Sequence, residues 1–407
     1  LAIQGLLPTG RSQGEVRLAC EAGQGRRPVG LVLQNPETQL LSQTVGGEIA
    51  FGLENLQIPE SRMPSLVLRA MQDVGLDVPL SRPVEQLSMG QKYRLLLAAM
   101  LVMEPQLLIL DEPSAQLDPD GLEQLQTVIR SLKRQGIAFI IAEHAPAALS
   151  GVTDVHLCLQ DGRLVPAGSG SSQSLSGSWP TDISPPPPSN PPAVSLTDLS
   201  FEHTDGKPVW QRAALQLEPG ERAALVGPNG SGKSTLLRCI CGFVRPSGGN
   251  LKVLGHKPVP SRLFGQVGYL FQNPQRQLFE TSVAADIDFS LRRLGWDSSR
   301  RQARLNFLLQ QCFLVDVADR SPLTLSFGQQ HLAALAAVIA PEPKLLLLDD
   351  PFVGLDRSRK QGMIEIICRM SRSSGTAVLY AGHDSQEPFE WVHSRYGLSE
   401  GTLIRYA

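Results

Sequence analysis

The chain has 407 residues, too many for one ordinary core, so its length alone suggests two or three domains. Hydrophobic residues make up 42% and charged residues 19%, which excludes a disordered, charge-rich chain. A formal net charge of −2 offers no basic face for nucleic acid and no polybasic tail for anionic lipid.

The six cysteines (Cys20, Cys158, Cys239, Cys241, Cys312, Cys368) lack paired metal-ligand spacing and read as reduced core thiols. Cys239 and Cys241 are expected on different faces of a helix. The longest apolar runs, 95–110 and 332–348, are broken by Glu104-Pro105 and by Pro341-Glu342-Pro343-Lys344, so neither is long enough to span a bilayer. Membrane association is therefore expected through a partner. The chain opens on Leu1, without Met or a signal-peptide pattern, and is expected to be a fragment.

In chain order, the first chemically suggestive group is Gln34-Asn35-Pro36, followed by Leu87-Ser88-Met89-Gly90-Gln91. An apolar strand at 107–110 ends in Asp111 and Glu112, and another at 138–141 is followed by His144. Residues 166–194 are rich in Pro, Ser and Gly, include Pro185-Pro186-Pro187-Pro188, and carry Asp182 as their one charge. Such a stretch cannot bury a core and reads as a semi-stiff linker. It separates a first domain at 1–165 from a second at 195–407.

Beyond the linker a strand at 223–226 runs into Gly227-Pro228-Asn229-Gly230-Ser231-Gly232-Lys233-Ser234 and a helix continuing through Thr235. Gln272-Asn273-Pro274, Leu325-Ser326-Phe327-Gly328-Gln329, a strand at 345–348 with Asp349 and Asp350, and a strand at 377–380 followed by His383 complete the series. The two halves repeat. Gln272 lies 272 − 34 = 238 positions after Gln34, and the Leu-Ser-x-Gly-Gln pair and the strand pair keep the same offset, while the histidines differ by 383 − 144 = 239. Alternating short strands and amphipathic helices argue for an α/β core with a largely parallel sheet, whose ligand sites lie at the carboxyl ends of strands.

The segment 227–234 fits G-x-x-x-x-G-K-[ST] in the strand–loop–helix context that the motif needs. Its glycines let successive backbone N–H groups face phosphates at a helix N-terminus. Lys233 is expected to neutralise β- and γ-phosphate oxygens, and Ser234 to ligate Mg²⁺. Asp349, and Asp111 in the first copy, are expected to hold the magnesium shell. Glu112 is placed as a general base for an attacking water. Asp350, one methylene shorter, sits roughly 1 Å further back, a misplacement worth about a hundredfold.

Leu87–Gln91 and Leu325–Gln329 resemble the LSGGQ signature of ABC ATPases, with Met89 and Phe327 departing at the middle position. The resemblance covers nearly the whole chain outside the linker. It implies two P-loop NTPase domains, each a mixed, largely parallel sheet with a helical signature subdomain. They would close head-to-tail within the chain on two ATP molecules, with Ser88, Gly90 and Gln91, or Ser326, Gly328 and Gln329, capping the triphosphate held by the opposite domain. It further implies that Gln34 and Gln272 approach Mg²⁺ and the attacking water, that Gln116-Leu117-Asp118 and Gly354-Leu355-Asp356 are D-loops, and that His144 and His383 contact the γ-phosphate. Phe201 or His203 would stack on adenine. The first copy's phosphate loop falls upstream of Leu1 (233 − 238 = −5), and residues 1–7 are expected to be the helix that follows it.

Gln34-Asn35-Pro36-Glu37-Thr38-Gln39-Leu40, continuing to Thr44-Val45 and Ala50-Phe51-Gly52-Leu53-Glu54-Asn55, is similar to a stretch of the ATPases of energy-coupling factor importers. That likeness implies a peripheral subunit at the cytoplasmic face of the cell membrane. Its partners would be a transmembrane coupling subunit and a substrate-binding membrane subunit for a vitamin, vitamin precursor or metal ion, with 35–55 and 273–294 as the partner's groove. No nucleic-acid partner is expected. Two alternatives stand beside it. A soluble tandem protein acting on ribosomes would call for a long charged helical linker. A regulatory nucleotide-binding module is favoured by Asp350 and by Leu332, where the first copy has Arg94, and opposed by Glu112.

Overall fold

The computed structural model describes residues 29–34, 36–114, 117, 119–143, 146–160, 163–166, 184, 186–202, 206–352, 355, 357–382 and 389–406. It divides into two compact units, Leu1–Gln173 and Ser174–Ala407. The expected helix at 1–7 lies outside the described residues.

In the first unit, β1 (Val29–Val32) is followed by α1 (Val45–Asn55), α2 (Met63–Asp73) and α3 (Met89–Leu101), then β2 (Leu107–Asp111), α4 (Pro119–Arg134), β3 (Ala138–Ala142) and the hairpin β4 (Leu157–Gln160)–β5 (Arg163–Pro166). Strands β1, β2 and β3 pair in parallel in that order, and β4–β5 is antiparallel. The helices pack an apolar stripe over one face of the sheet, joining Ile49, Leu53, Leu95 and Leu96 to Leu108 and Leu110 in one core.

The second unit runs β6 (Val194–Glu202), β7 (Pro208–Leu217), β8 (Arg222–Val226), α5 (Lys233–Ile240), β9 (Gly248–Val253), α6 (Pro260–Leu263), β10 (Val267–Leu270), α7 (Val283–Arg293), α8 (Ser298–Gln311), α9 (Phe327–Ile339), β11 (Leu345–Asp349), α10 (Arg357–Ser374), β12 (Ala377–Gly382), β13 (Ser394–Ser399) and β14 (Thr402–Tyr406). Its main sheet has the order β10-β11-β12-β8-β13-β14, parallel except for the β13–β14 edge. Every residue of β8, β11 and β12 is buried. That explains why, between Arg222 at the start of β8 and Asp349 at the end of β11, their sequences are apolar without alternation: both faces of a parallel sheet are covered. One face carries a core with Leu346, Leu348 and Trp391; the other carries Leu345, Leu347 and Trp210, beneath an antiparallel sheet ordered β7-β6-β9.

Among the described residues, the second unit has two features without a counterpart in the first, the antiparallel sheet β7-β6-β9 and the central strand β8. In the second, β8 stands between β12 and β13, whereas among the described residues of the first no strand joins β3 to β4. The pattern of β3 reflects it, alternating exposed and half-buried residues where β12 is wholly buried. Residues just before β6 are anchored: Ser189 donates from its backbone N–H and its hydroxyl to Glu218 Oε2, both at 2.8 Å. Cys239 and Cys241 both lie in the core beneath the small antiparallel sheet, rather than on faces of different character. Burial pushes their thiols up to about 11 and about 12.

All four tryptophans fall in the second unit, at positions 179, 210, 296 and 391, so intrinsic fluorescence reports on that unit. Truncating the buried Leu347 in β11 leaves a cavity in a wholly buried strand, a change that costs about 2–5 kcal/mol. Leu347→Ala is expected to lower the fluorescence-detected urea midpoint by a corresponding amount.

Candidate nucleotide site

The loop 227–232 leaves the carboxyl end of β8 and delivers the chain into α5. Two of its glycines have no room for a side chain. Gly227 has φ +159° and a Cβ there would sit 2.2 Å from the Leu398 carbonyl oxygen; Gly232 has φ +98° and its Cβ would sit 2.4 Å from Val209 Cγ1. Strand β13 and strand β7 thus press the loop into its curl. Pro228, Asn229 and Gly230 form its exposed crest.

Lys233, the first residue of α5, is buried, and its Nζ donates to the carbonyl oxygens of Gly227 (2.7 Å) and Pro228 (3.0 Å). The ammonium is folded beneath the loop, where an anion on the crest would meet it. The Ser231 hydroxyl is shielded from solvent yet makes no hydrogen bond among the described residues. Buried hydroxyls ordinarily find partners, so an orphan inside a phosphate-type loop fits a ligand whose oxygens complete it. By that measure the loop is suited to a phosphate-like anion.

Asp349 closes β11 at 2% exposure. Ser234, one residue into α5 from Lys233, donates its hydroxyl to Asp349 Oδ1 at 2.8 Å, and Tyr269 of β10 donates to Oδ2 at 2.9 Å. Burial pushes the Asp349 carboxyl pKa up, and the two donated hydrogen bonds pull against it. The pairing of Ser234 with Asp349 joins the first turn of α5 to the carboxyl end of β11.

The residue after each strand-end aspartate departs from ordinary backbone. Glu112 has φ +45° and Asp350 φ +44°, and each donates its N–H, to Ala142 O and to Ala381 O, at 2.9 Å in both cases. Left-handed backbone at a non-glycine residue is costly and concentrates at functional positions. In the first unit, Gln34 Nε2 donates to Glu112 Oε2 at 2.5 Å, so the glutamine loop and the carboxylate meet directly.

Ser88 and Ser326 begin α3 and α9 as N-caps with complete capping boxes. Ser88 Oγ accepts from the Gln91 N–H at 3.3 Å and Gln91 Oε1 accepts from the Ser88 N–H at 3.0 Å; the corresponding distances at Ser326 and Gln329 are 3.4 and 3.1 Å. The side chains of Gln91 and Gln329 are thereby engaged in holding the helix start. Gly90 and Gly328 lie in the first turns.

Several expected residues cannot be placed: His144, His383, His203, Gln116, Asp118, Gly354 and Asp356 lie outside the described residues. Phe201, the other candidate for adenine, packs against Trp210 with ring centroids 5.7 Å apart. The Arg94-to-Leu332 difference has a structural origin. Arg94 Nη1 donates to the Gly75 carbonyl at 2.7 Å, just past the end of α2, whereas Leu332 is a core residue of α9. The basic residue at 94 holds a helix end, and the corresponding position in the second copy is a buried leucine.

Sequence reasoning missed two pairs of residues that shape the glutamine loops. Gln39 accepts from the Leu33 N–H at 3.0 Å and donates to the Leu31 carbonyl at 2.7 Å, stapling its loop back to β1. Gln277 does the same with Phe271 N–H (3.2 Å) and Tyr269 O (2.5 Å). Glu48 accepts from the N–H groups of Leu41 and Ser42, and Asp286 from those of Phe279 and Glu280. Both pairs recur at the 238-residue offset, which is the signal that could have found them.

Known proteins resemble this chain in sequence. The profile of the family described as ABC transporter matches residues 2–115 and 210–353. A putative ABC transporter ATP-binding protein of Methanosarcina acetivorans is 30% identical over 441 residues, covering 92% of this chain and 72% of the relative. The putative HMP/thiamine import ATP-binding protein YkoD of Bacillus subtilis is 30% identical over 402 residues, with 88% and 72% covered. Among solved structures, cbiO1 from Clostridium perfringens, part of the ABC transporter complex cbiONQ, is 27% identical over 52% of this chain and 87% of its own, at a TM-score of 0.49.

The capping boxes generate a separable prediction. Ser326→Ala is expected to cost about 1 kcal/mol in urea denaturation followed by tryptophan fluorescence, because one N-terminal N–H of α9 loses its acceptor. Ser326→Asp, which caps equally well, is expected to retain wild-type stability.

Proposed function

The chain belongs to the ABC transporter family, whose ATP-binding proteins bind and hydrolyse ATP, and from that premise we propose that it energises import of a small solute by an energy-coupling factor type transporter. The observation that carries the importer reading is the doubled loop after each glutamine. Gln39 with Glu48, and Gln277 with Asp286, build the same clamped turn in both units, and it leaves Leu41, Phe51 and Phe279 exposed beside it. A pre-formed apolar rim on a clamped loop suits the coupling helices of a transmembrane subunit, itself joined to a substrate-binding membrane subunit. No described helix is long and apolar enough to cross a membrane, so attachment to the cytoplasmic face is through those partners. The relative whose name reads HMP/thiamine import supports a vitamin or vitamin precursor as cargo; a metal ion is the other class the sequence likeness allows.

At the second unit, Lys233 neutralises the terminal phosphates, and the loop 227–232 holds them through backbone N–H groups at the start of α5. Mg²⁺ would be held by Ser234, Asp349 and Gln272, with Asp111 and Gln34 serving in the first unit, and when bound it supplies charge neutralisation of the β- and γ-phosphates. Glu112, oriented by Gln34, accepts the proton of the attacking water. Ser88 with Gly90, and Ser326 with Gly328, at the starts of α3 and α9, would offer helix-start donors to a terminal phosphate. The first site is the faster one, because Asp350 brings its carboxylate less far than Glu112 does from the same backbone.

Three measurements test this reading. Glu112→Gln in the full-length protein is expected to lower ATP turnover at least a hundredfold, and Asp350→Asn less than fivefold; equal losses would remove the assignment of a fast and a slow site. Lys233→Ala is expected to abolish ATP binding by the second unit in equilibrium dialysis. Affinity purification from detergent-solubilised membranes is expected to return a multi-span subunit, and recovery with ribosomes instead would favour the soluble alternative.

A further inference from the structure

Strands β1 and β10 occupy the same register against β2 and β11: Leu31 stands opposite Ile109, and Tyr269 opposite Leu347, in each case two residues before the strand-end aspartate. The first copy therefore has an aliphatic side chain where the second has a phenol. Tyr269 is 7% exposed, with Phe271 edge-on at 4.7 Å and Phe243 at 6.1 Å between ring centroids, so its ring is held by packing. Its hydroxyl reaches Asp349 Oδ2 at 2.9 Å while Ser234 occupies Oδ1 at 2.8 Å. The two donors differ in how they are held. Ser234 lies in the first turn of α5, directly after the loop, whereas Tyr269 comes from strand β10 with its ring packed against two phenylalanines.

We propose that Tyr269 is a positioning residue for the second unit's site, fixing Asp349 by its inner oxygen so that the outer oxygen remains aimed at the Mg²⁺ shell of the bound nucleotide, an anchorage that Leu31 cannot provide in the first unit. This rests on the assignment of Ser234 and Asp349 as the cation-holding pair. The terminal torsion of a carboxylate is broad, and a charge-assisted hydrogen bond from a packed donor narrows it. Donors behind the groups that hold a cation tune its affinity, and losing one costs about 10–100-fold. The two nucleotide sites of this chain accordingly differ in their cation requirement as well as in their basic carboxylate.

The test is Tyr269→Phe in the full chain, with a fluorescent ATP analogue titrated in EDTA and across a MgCl2 series. The binding abolished by Lys233→Ala defines the second-unit component. The affinity in EDTA is expected to stay within twofold of wild type, while the Mg²⁺ concentration for half-maximal enhancement rises about tenfold. An unchanged Mg²⁺ requirement overturns the inference, as does an equal loss in EDTA and Mg²⁺, which would mean that the phenol only supports the core. A second measurement needs no substitution of function: 3-fluorotyrosine at position 269 is expected to shift its ¹⁹F resonance on Mg²⁺ with ATP and not on ATP in EDTA, and no difference between the two counts against the inference. Failure of the wild-type chain to bind the analogue better with Mg²⁺ than without would instead refute the Ser234–Asp349 assignment itself.

Discussion

The parallel pairing of β11, β12 and β8 is the constraint from which the rest follows. Because the strands run the same way, their carboxyl ends lie along one edge, and residues 115 positions apart meet there as Ser234 and Asp349. A parallel sheet holds together only if both faces are covered, and here two apolar cores supply that cover. The sheet's edge is thus a rigid platform, and the phosphate loop is bent over it by β7 and β13, which leave no space for a Cβ at Gly232 or Gly227. Binding chemistry at such a site costs little reorganisation, since the sheet has already arranged the groups that perform it.

Duplication lets each unit serve as a control for the other. What both retain is mechanical: the serine caps of α3 and α9, the glutamine staples, the buried acids that close the following turns. What differs includes Glu112 against Asp350 and Leu31 against Tyr269 beside the strand-end aspartates, and Arg94 against Leu332 away from them.

Much of this was legible in the sequence because the features involved are local. The strand–loop–helix around Lys233 needs only an apolar run, glycines and a helix start, and the apolar strands ending in Asp111 and Asp349 announce themselves by composition. The helix expected through Thr235 already begins at Lys233. The staples by Gln39 and Gln277 were not legible, because a polar residue in a loop gives no hint that both its amide atoms turn back to the strand before it. Tyr269 was hidden for a different reason: in an apolar strand a tyrosine reads as filling, and only the register of β10 on β11 brings its hydroxyl to Asp349. Arg94 shows the reverse error, a charge that invites a functional reading and is spent on the carbonyl of Gly75.

The left-handed backbone shared by Glu112 and Asp350 has an evolutionary consequence. A conformation that most side chains resist has outlived the change of the side chain it serves, so the two copies diverged by altering reach and left the scaffold's geometry untouched. At this position the second copy therefore stands one codon change from its sibling's carboxylate, a change that calls for no new backbone geometry.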